Sequence, residues 1–135
     1  NGAQSYTALI NPDTAGDWES WDDYAEEAVH GISREQLRQQ GRSVVAVAND
    51  LTRLLGDQDV YSDAPHVDGV WLRKLFETMG RDNPVRLRAL RDIYCSAYQS
   101  RLDSALVSLE RPHRALDDCL ALAGAVRSIT AFRDE

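Results

Sequence analysis

The sequence Pro112-His113-Arg114-Ala115-Leu116-Asp117-Asp118 stands at the entrance to an amphipathic helix, and it decides how the rest of the chain is interpreted. Each residue of a helix that begins near Pro112 turns the side chain by about 100°. The apolar side chains then share one arc, with Asp118 at its edge and Asp117 on the opposite face. We therefore expect Asp118 to border a cleft beside the core and Asp117 to lie in water.

His113 precedes Asp118 by five positions. In a regular helix these two side chains would point about 140° apart. His113 can therefore act together with Asp118 only from the loop or from the first turn. The alternative for His113 is an ordinary surface loop residue, and the alternative for Asp118 is a solvated helix residue.

Two further stretches contain residue types that are suited to chemistry. The first, residues 28–37, has His30-Gly31-Ile32 at a predicted helix end, and Ser33 with Gln36 forms a capping box for the next helix. The second, residues 59–68, predicts a short strand, a loop and then Asp68 at the start of another helix. On sequence alone, an N-cap is the favoured role for Asp68, and cation binding is the alternative.

Together the three stretches resemble the motifs of the DEDDh-type 3′–5′ exonucleases, the DnaQ-like superfamily that includes proofreading subunits and oligoribonucleases. In that family a histidine stands five residues before a metal-binding aspartate, a His-Gly-Ile segment follows the third strand, and a second aspartate follows a later strand. The matches here occur in the same order and extend from about Tyr6 to Val126. The resemblance implies a ribonuclease H-like α/β fold, a mixed sheet flanked by helices, in a single domain over residues 1–135.

The resemblance also implies hydrolysis of single-stranded DNA or RNA from the 3′ end with two Mg2+ or Mn2+ ions. Asp68 and Asp118 would be metal ligands, since hard cations prefer oxygen. His113 would be the general base, for which an imidazole that is neutral near physiological pH is suited. His30, Gly31 and Ile32 would lie beside the 3′-terminal nucleotide, and the alternative for His30 is a helix-end histidine that bonds to the backbone.

One part of the family pattern is missing. The first strand of the family carries an Asp-x-Glu pair that completes the metal site. In this chain Asp17-Trp18-Glu19 instead follows a predicted strand at residues 6–10 and begins a short predicted helix, which Asp17 would cap. Without that strand, a gap with unpaired backbone groups would separate residues 6–10 from the strand around Tyr61. We therefore expect an N-terminally incomplete fragment that is inactive as it stands. The alternatives are a homodimer in which a second copy supplies the strands, or direct pairing of the two strands.

Composition narrows the class of protein. A net charge of -7 disfavours a nonspecific nucleic-acid coat protein, but bound cations would invert the charge of an acidic nuclease site. No run of 18 apolar residues occurs, so we expect no membrane partner. Cys95 and Cys119 lack metal-ligand spacing, which favours reduced thiols in a cytoplasmic protein. A catalytically inactive exonuclease-fold scaffold and an unrelated helical interaction domain are the competing interpretations of the whole chain.

Overall fold

The computed structural model describes residues 4–130 as a mostly helical α/β structure with a small parallel sheet. A one-turn 3-10 helix at Pro12–Thr14 and a π-helix at Ala25–His30 precede the first α-helix, and another one-turn 3-10 helix lies at Leu90–Ile93. In chain order the remaining elements are α1 (Arg34–Gln40), α2 (Val44–Leu55), β1 (Asp59–Ser62), α3 (Pro65–Glu77), β2 (Arg86–Ala89), α4 (Ser96–Val107) and α5 (Ala115–Thr130).

The sheet consists of β1 and β2, which pair in parallel with Asp59 opposite Arg86 and Ser62 opposite Ala89. Parallel neighbours need a crossover connection, and α3 supplies it. The α/β class is therefore confirmed, but the mixed sheet is wrong for residues 4–130. The physical reason is that no antiparallel strand is present there to pair with β1.

Residues 6–10, predicted to be a strand, do not form one. Only Ile10 pairs with another strand-like residue, through an isolated parallel bridge to Arg42. Tyr6, Thr7 and Ala8 border a cavity of about 590 Å³ whose opposite side includes Val60 and Tyr61 of β1. Direct pairing between the two segments is thus wrong for the described residues, and both segments border this cavity. Whether the chain is an incomplete fragment stays a prediction.

Two hydrophobic clusters hold the elements together. The first joins α2, α3 and the residue before β2, and its buried members are Ala15, Val44, Ala48, Leu75, Phe76 and Val85. The second joins the end of β2 to α4 and α5, and its buried members are Leu90, Tyr94, Leu102 and Ile129. The second cluster holds the C-terminal half of α5, whereas Ala115 and Cys119 at the start of α5 border the same cavity as β1.

Most helix ends agree with the sequence. Ser33 Oγ accepts a hydrogen bond from Gln36 N at 3.0 Å, as the capping box predicts, and Gly31 ends the π-helix with a φ of 62°. The predicted cap at Asp17 is wrong, because Asp22 Oδ1 instead accepts from Ala25 N at 3.1 Å. Among the helices of residues 4–130, none is long and apolar enough to cross a bilayer.

A charged cluster fastens residue 6 to α2. Asp50 Oδ2 accepts hydrogen bonds from Arg42 Nη1 at 2.5 Å and from Tyr6 OH at 3.0 Å. The hydrogen bond from Arg42 lowers the pKa of Asp50 most, and the bond from Tyr6 lowers it further. A lowered carboxyl pKa stabilises the folded state above its unfolded value of about 3.9.

We predict that Asp50→Asn lowers the melting temperature more at about pH 7 than at about pH 3. The stabilisation requires the ionised carboxylate, so it is lost as the pH falls through the depressed pKa of the folded state. Thermal unfolding followed by circular dichroism measures the difference. Asp57→Asn, which alters an exposed carboxyl before β1, is the control, and an equal effect of Asp50→Asn at both pH values would contradict the prediction.

Candidate active site

Asp68 does not cap α3, which corrects the role that sequence alone favoured. The helix begins at Pro65, whose fixed φ and missing N–H suit a first helical position, so Asp68 lies inside the first turn. Its Oδ2 instead accepts a hydrogen bond of 2.5 Å from Ser62 Oγ. Ser62 Oγ also accepts from Ala64 N at 2.9 Å, which fixes the hydroxyl at the end of β1. The Asp68 carboxylate is therefore oriented by the strand while the residue stays exposed.

Asp118 occupies the first turn of α5, where its N–H donates to Arg114 O at 2.9 Å. The residue is half-buried, whereas Asp117 is exposed, as the helical arc predicts. Within the described residues, Asp118 Oδ1 is buried and has no hydrogen-bond partner. A buried carboxylate oxygen without a partner is unfavourable, so this atom is suited to accept a cation or a donor.

His113 lies on the loop before α5 and is exposed, in the position that cooperation with Asp118 requires. Its φ of 55° is in the left-handed region, which is uncommon for a residue with a Cβ. Such backbone conformations cost free energy and tend to persist at functional sites. The imidazole makes no hydrogen bond within residues 4–130.

The stretches around Asp68 and Asp118 lie on the same face of the molecule. Arg111 Nη2 forms an ion pair of 2.7 Å with Asp63 Oδ2, which joins the loop before α5 to the loop after β1. Asp68 and Cys119 border the same cavity. Burial raises the pKa of the Cys119 thiol, and the negative charges of Asp118, Asp68 and Asp63 raise it further. These three carboxylates therefore act electrostatically on one point at the start of α5.

The His30 loop reaches the same face. His30 Nδ1 accepts a hydrogen bond from Ile32 N at 3.0 Å, so the backbone-bonding role of a helix-end histidine is present. A Cβ built on Gly31 would lie 3.9 Å from the guanidinium nitrogen Nη2 of Arg114. This places Gly31 beside the loop of His113. A substrate role for His30, Gly31 and Ile32 stays a prediction.

The described residues supply only part of the ligand set that two metal ions would need. Among residues 4–130, no group of three or more His, Cys, Asp or Glu side chains could hold a metal ion. Mg2+ is often bound through only one or two carboxylates, with water completing its octahedron. Asp68, held in place by Ser62, and the partnerless oxygen of Asp118 suit that kind of binding. They do not supply a complete two-ion site.

Sequence reasoning missed the groups that position the candidate site. Only the role of Ser62 could have been recognised from the sequence, because a hydroxyl at the end of a strand often bonds to the following turn. The Asp63–Arg111 pair joins residues 48 positions apart, and no local pattern reports such a contact. Trp71 shares helical spacing with the buried Leu75, yet it is 63% exposed beside the cavity.

No model of a protein family, no curated protein and no solved structure matches this chain significantly.

We predict that His113→Gly leaves the free energy of unfolding unchanged or raises it by up to about 1 kcal/mol. Glycine removes the left-handed penalty of about 1–2 kcal/mol, although it costs about 0.5–1 kcal/mol in backbone entropy. Urea denaturation measures the change. His66→Gly in the first turn of α3 is the control and should lose a few tenths of a kcal/mol, about the difference in helix propensity between His and Gly. A comparable loss for His113→Gly would show that the backbone of His113 is unstrained.

Proposed function

We propose that this chain is part of a metal-dependent 3′–5′ exonuclease of the DEDDh type, acting on single-stranded nucleic acid. The observation that carries the proposal is the meeting of three distant stretches on one face, through Arg111 with Asp63, Arg114 with Gly31, and the shared cavity of Asp68 and Cys119. Chance motif matches scattered along the sequence have no reason to converge in space. The order β1, α3, β2 with a parallel pairing is also compatible with a ribonuclease H-like sheet.

In the proposed reaction, a water oxygen attacks the terminal phosphorus and the bond from phosphorus to the 3′-oxygen of the penultimate nucleotide breaks. Mg2+ or Mn2+ ions would stabilise the charge on the attacking and leaving oxygens when bound. Asp68 and Asp118 would hold the cations, and Ser62 would keep the Asp68 carboxylate oriented. His113 would take the proton from the attacking water through its neutral imidazole. The loop position of this imidazole, free of protein hydrogen bonds in residues 4–130, supports that role.

Asp68 and Asp118 are half of the carboxylate set that the family uses. Asp17-Trp18-Glu19 does not complete the set, because it lies on no strand and the carbonyls of Trp18 and Glu19 accept hydrogen bonds from Arg34. We therefore expect hydrolysis from a longer chain that contains the Asp-x-Glu strand, and little from residues 1–135 alone. The cytoplasm is the proposed location.

A binding or scaffold module with the same fold is the second candidate. It is favoured by one specific observation, the lack of any three-residue metal cluster within residues 4–130. Such a module would bind single-stranded ends without cleaving them. Hydrolysis by the longer chain separates the two candidates.

We predict that His113→Ala in the longer chain slows hydrolysis by about 10²–10⁴-fold, the usual contribution of a general base. The assay follows 5′-labelled single-stranded DNA and RNA of matched sequence with Mn2+, and it looks for products that shorten from the 3′ end. His66→Ala is the control, because His66 is exposed on α3 and borders a different groove. Turnover by His113→Ala equal to that of the wild type would refute the assigned role.

We predict that Asp68→Asn and Asp118→Asn each weaken Mn2+ binding, since each removes an anionic oxygen ligand. A cation that binds only the folded state raises the melting temperature, so the Mn2+-dependent rise should shrink in both variants. Asp117→Asn, one position along the same helix but exposed, and His113→Ala should keep the full rise. An undiminished rise in both Asp68→Asn and Asp118→Asn would place the cation elsewhere.

A further inference from the structure

We infer that Arg114 binds a backbone phosphate of the single-stranded substrate, between the loop of Gly31 and the loop of His113. This inference rests on the proposed function and names a group that holds its substrate. Arg114 is exposed, and its guanidinium Nη2 stands 3.9 Å from the position that a Cβ on Gly31 would occupy. Leaving aside the chain neighbours of Gly31, no other described heavy atom lies within 4 Å of that position.

The charges around Arg114 distinguish it from its neighbour Arg111. The Arg111 side chain is 30% exposed and already forms an ion pair with the Asp63 side chain, which is 21% exposed. Arg114 forms no ion pair and its side chain makes no hydrogen bond within residues 4–130. An open guanidinium presents several N–H donors in a planar fork that matches two phosphate oxygens.

The negative charge at the start of α5 must also be offset before a polyanion can bind there. Asp63, Asp68, Asp117 and Asp118 all lie near the start of α5, and they would repel a polyanion. Bound metal ions would neutralise the carboxylates that hold them. Arg111 precedes His113 in the chain and pairs with Asp63, whereas Arg114 follows His113 and lies near Gly31. A strand that reaches His113 past the Gly31 loop would therefore meet Arg114.

The test measures binding separately from hydrolysis. The affinity for a fluorescein-labelled oligothymidylate is titrated by fluorescence anisotropy in Ca2+ at several salt concentrations, using the longer chain, and the oligonucleotide is checked for intact length. We predict that Arg114→Gln weakens binding by about threefold to tenfold. The slope of log affinity against log salt should fall in magnitude by about 0.7, the value for one phosphate contact on a single strand.

Arg73→Gln is the matched control, because Arg73 is also an exposed arginine, lies on α3 and borders a separate groove. It should leave the slope unchanged. A slope for Arg114→Gln equal to the wild-type slope overturns the inference and leaves the proposed function standing. A wild-type protein that neither binds nor cleaves the oligonucleotide overturns both.

A charge-only change at Gly31 gives an independent check on the same contact. Asn and Asp both tolerate the left-handed backbone at Gly31, where φ is 62°, and they differ chiefly in charge. Gly31→Asp should pair with Arg114 and weaken oligonucleotide binding more than Gly31→Asn does, and Gly31→Asn controls for the added side chain. In the Arg114→Gln background the effect of Gly31→Asp should shrink, and an undiminished effect there would show that it does not act through Arg114.

Discussion

The parallel pairing of β1 with β2 is the constraint on which the rest of the structure depends. It requires a crossover, which α3 provides, and it sends the chain from the end of β1 directly into the loop of Asp63 and the first turn with Asp68. In open α/β sheets, ligands bind outside the carboxyl ends of the strands. The candidate site lies at that end, because Ser62 is the last residue of β1 and its hydroxyl fixes Asp68.

A second constraint brings α5 to the same end of the sheet. The packing of α4 against α5 buries Leu102 and Ile129, while Leu90 and Tyr94 attach this helix pair to the segment after β2. The Arg111–Asp63 pair then sets the approach of the loop that carries His113. An ion pair of this partial exposure contributes little to stability on its own. Its effect is on position, because it joins two loops whose relative placement is not set by the hydrophobic clusters.

Much of the local structure was predictable, because it depends on neighbours in sequence. The Ser33 cap, the ends of α2, the strand at β1 and the loop position of His113 all follow from spacing within a few residues. Asp68 was assigned as a cap because a short polar residue before an apolar stripe usually is one. Pro65 starts the helix three residues earlier, and the carboxylate becomes available to Ser62.

The failures at residues 6–10 and 17–22 have a different cause. An apolar run such as residues 6–10 becomes a strand only when a partner satisfies its backbone, and among the described residues only Ile10 finds a partner, at Arg42. The sequence from Asp17 onward has helical spacing, yet Trp18 is held instead by packing and by a hydrogen bond of 3.1 Å to Thr78. In both places tertiary contacts override the local pattern, and these contacts cannot be predicted from the local sequence.

The cavity beside β1 connects the unpaired edge of β1 to the proposed chemistry. It is bordered mainly by apolar side chains of residues 6–10, β1, α2 and α3, and it also reaches Asp68 and Cys119. A strand is paired on both sides only when it lies inside a sheet, and β1 has β2 on one side alone within residues 4–130. A strand laid beside β1 would satisfy that edge, cover the apolar walls and bring its own side chains next to Asp68. Under the proposed mechanism a second pair of carboxylates would have to enter at this point, so the unpaired edge of β1 and the position for further ligands coincide in the fold.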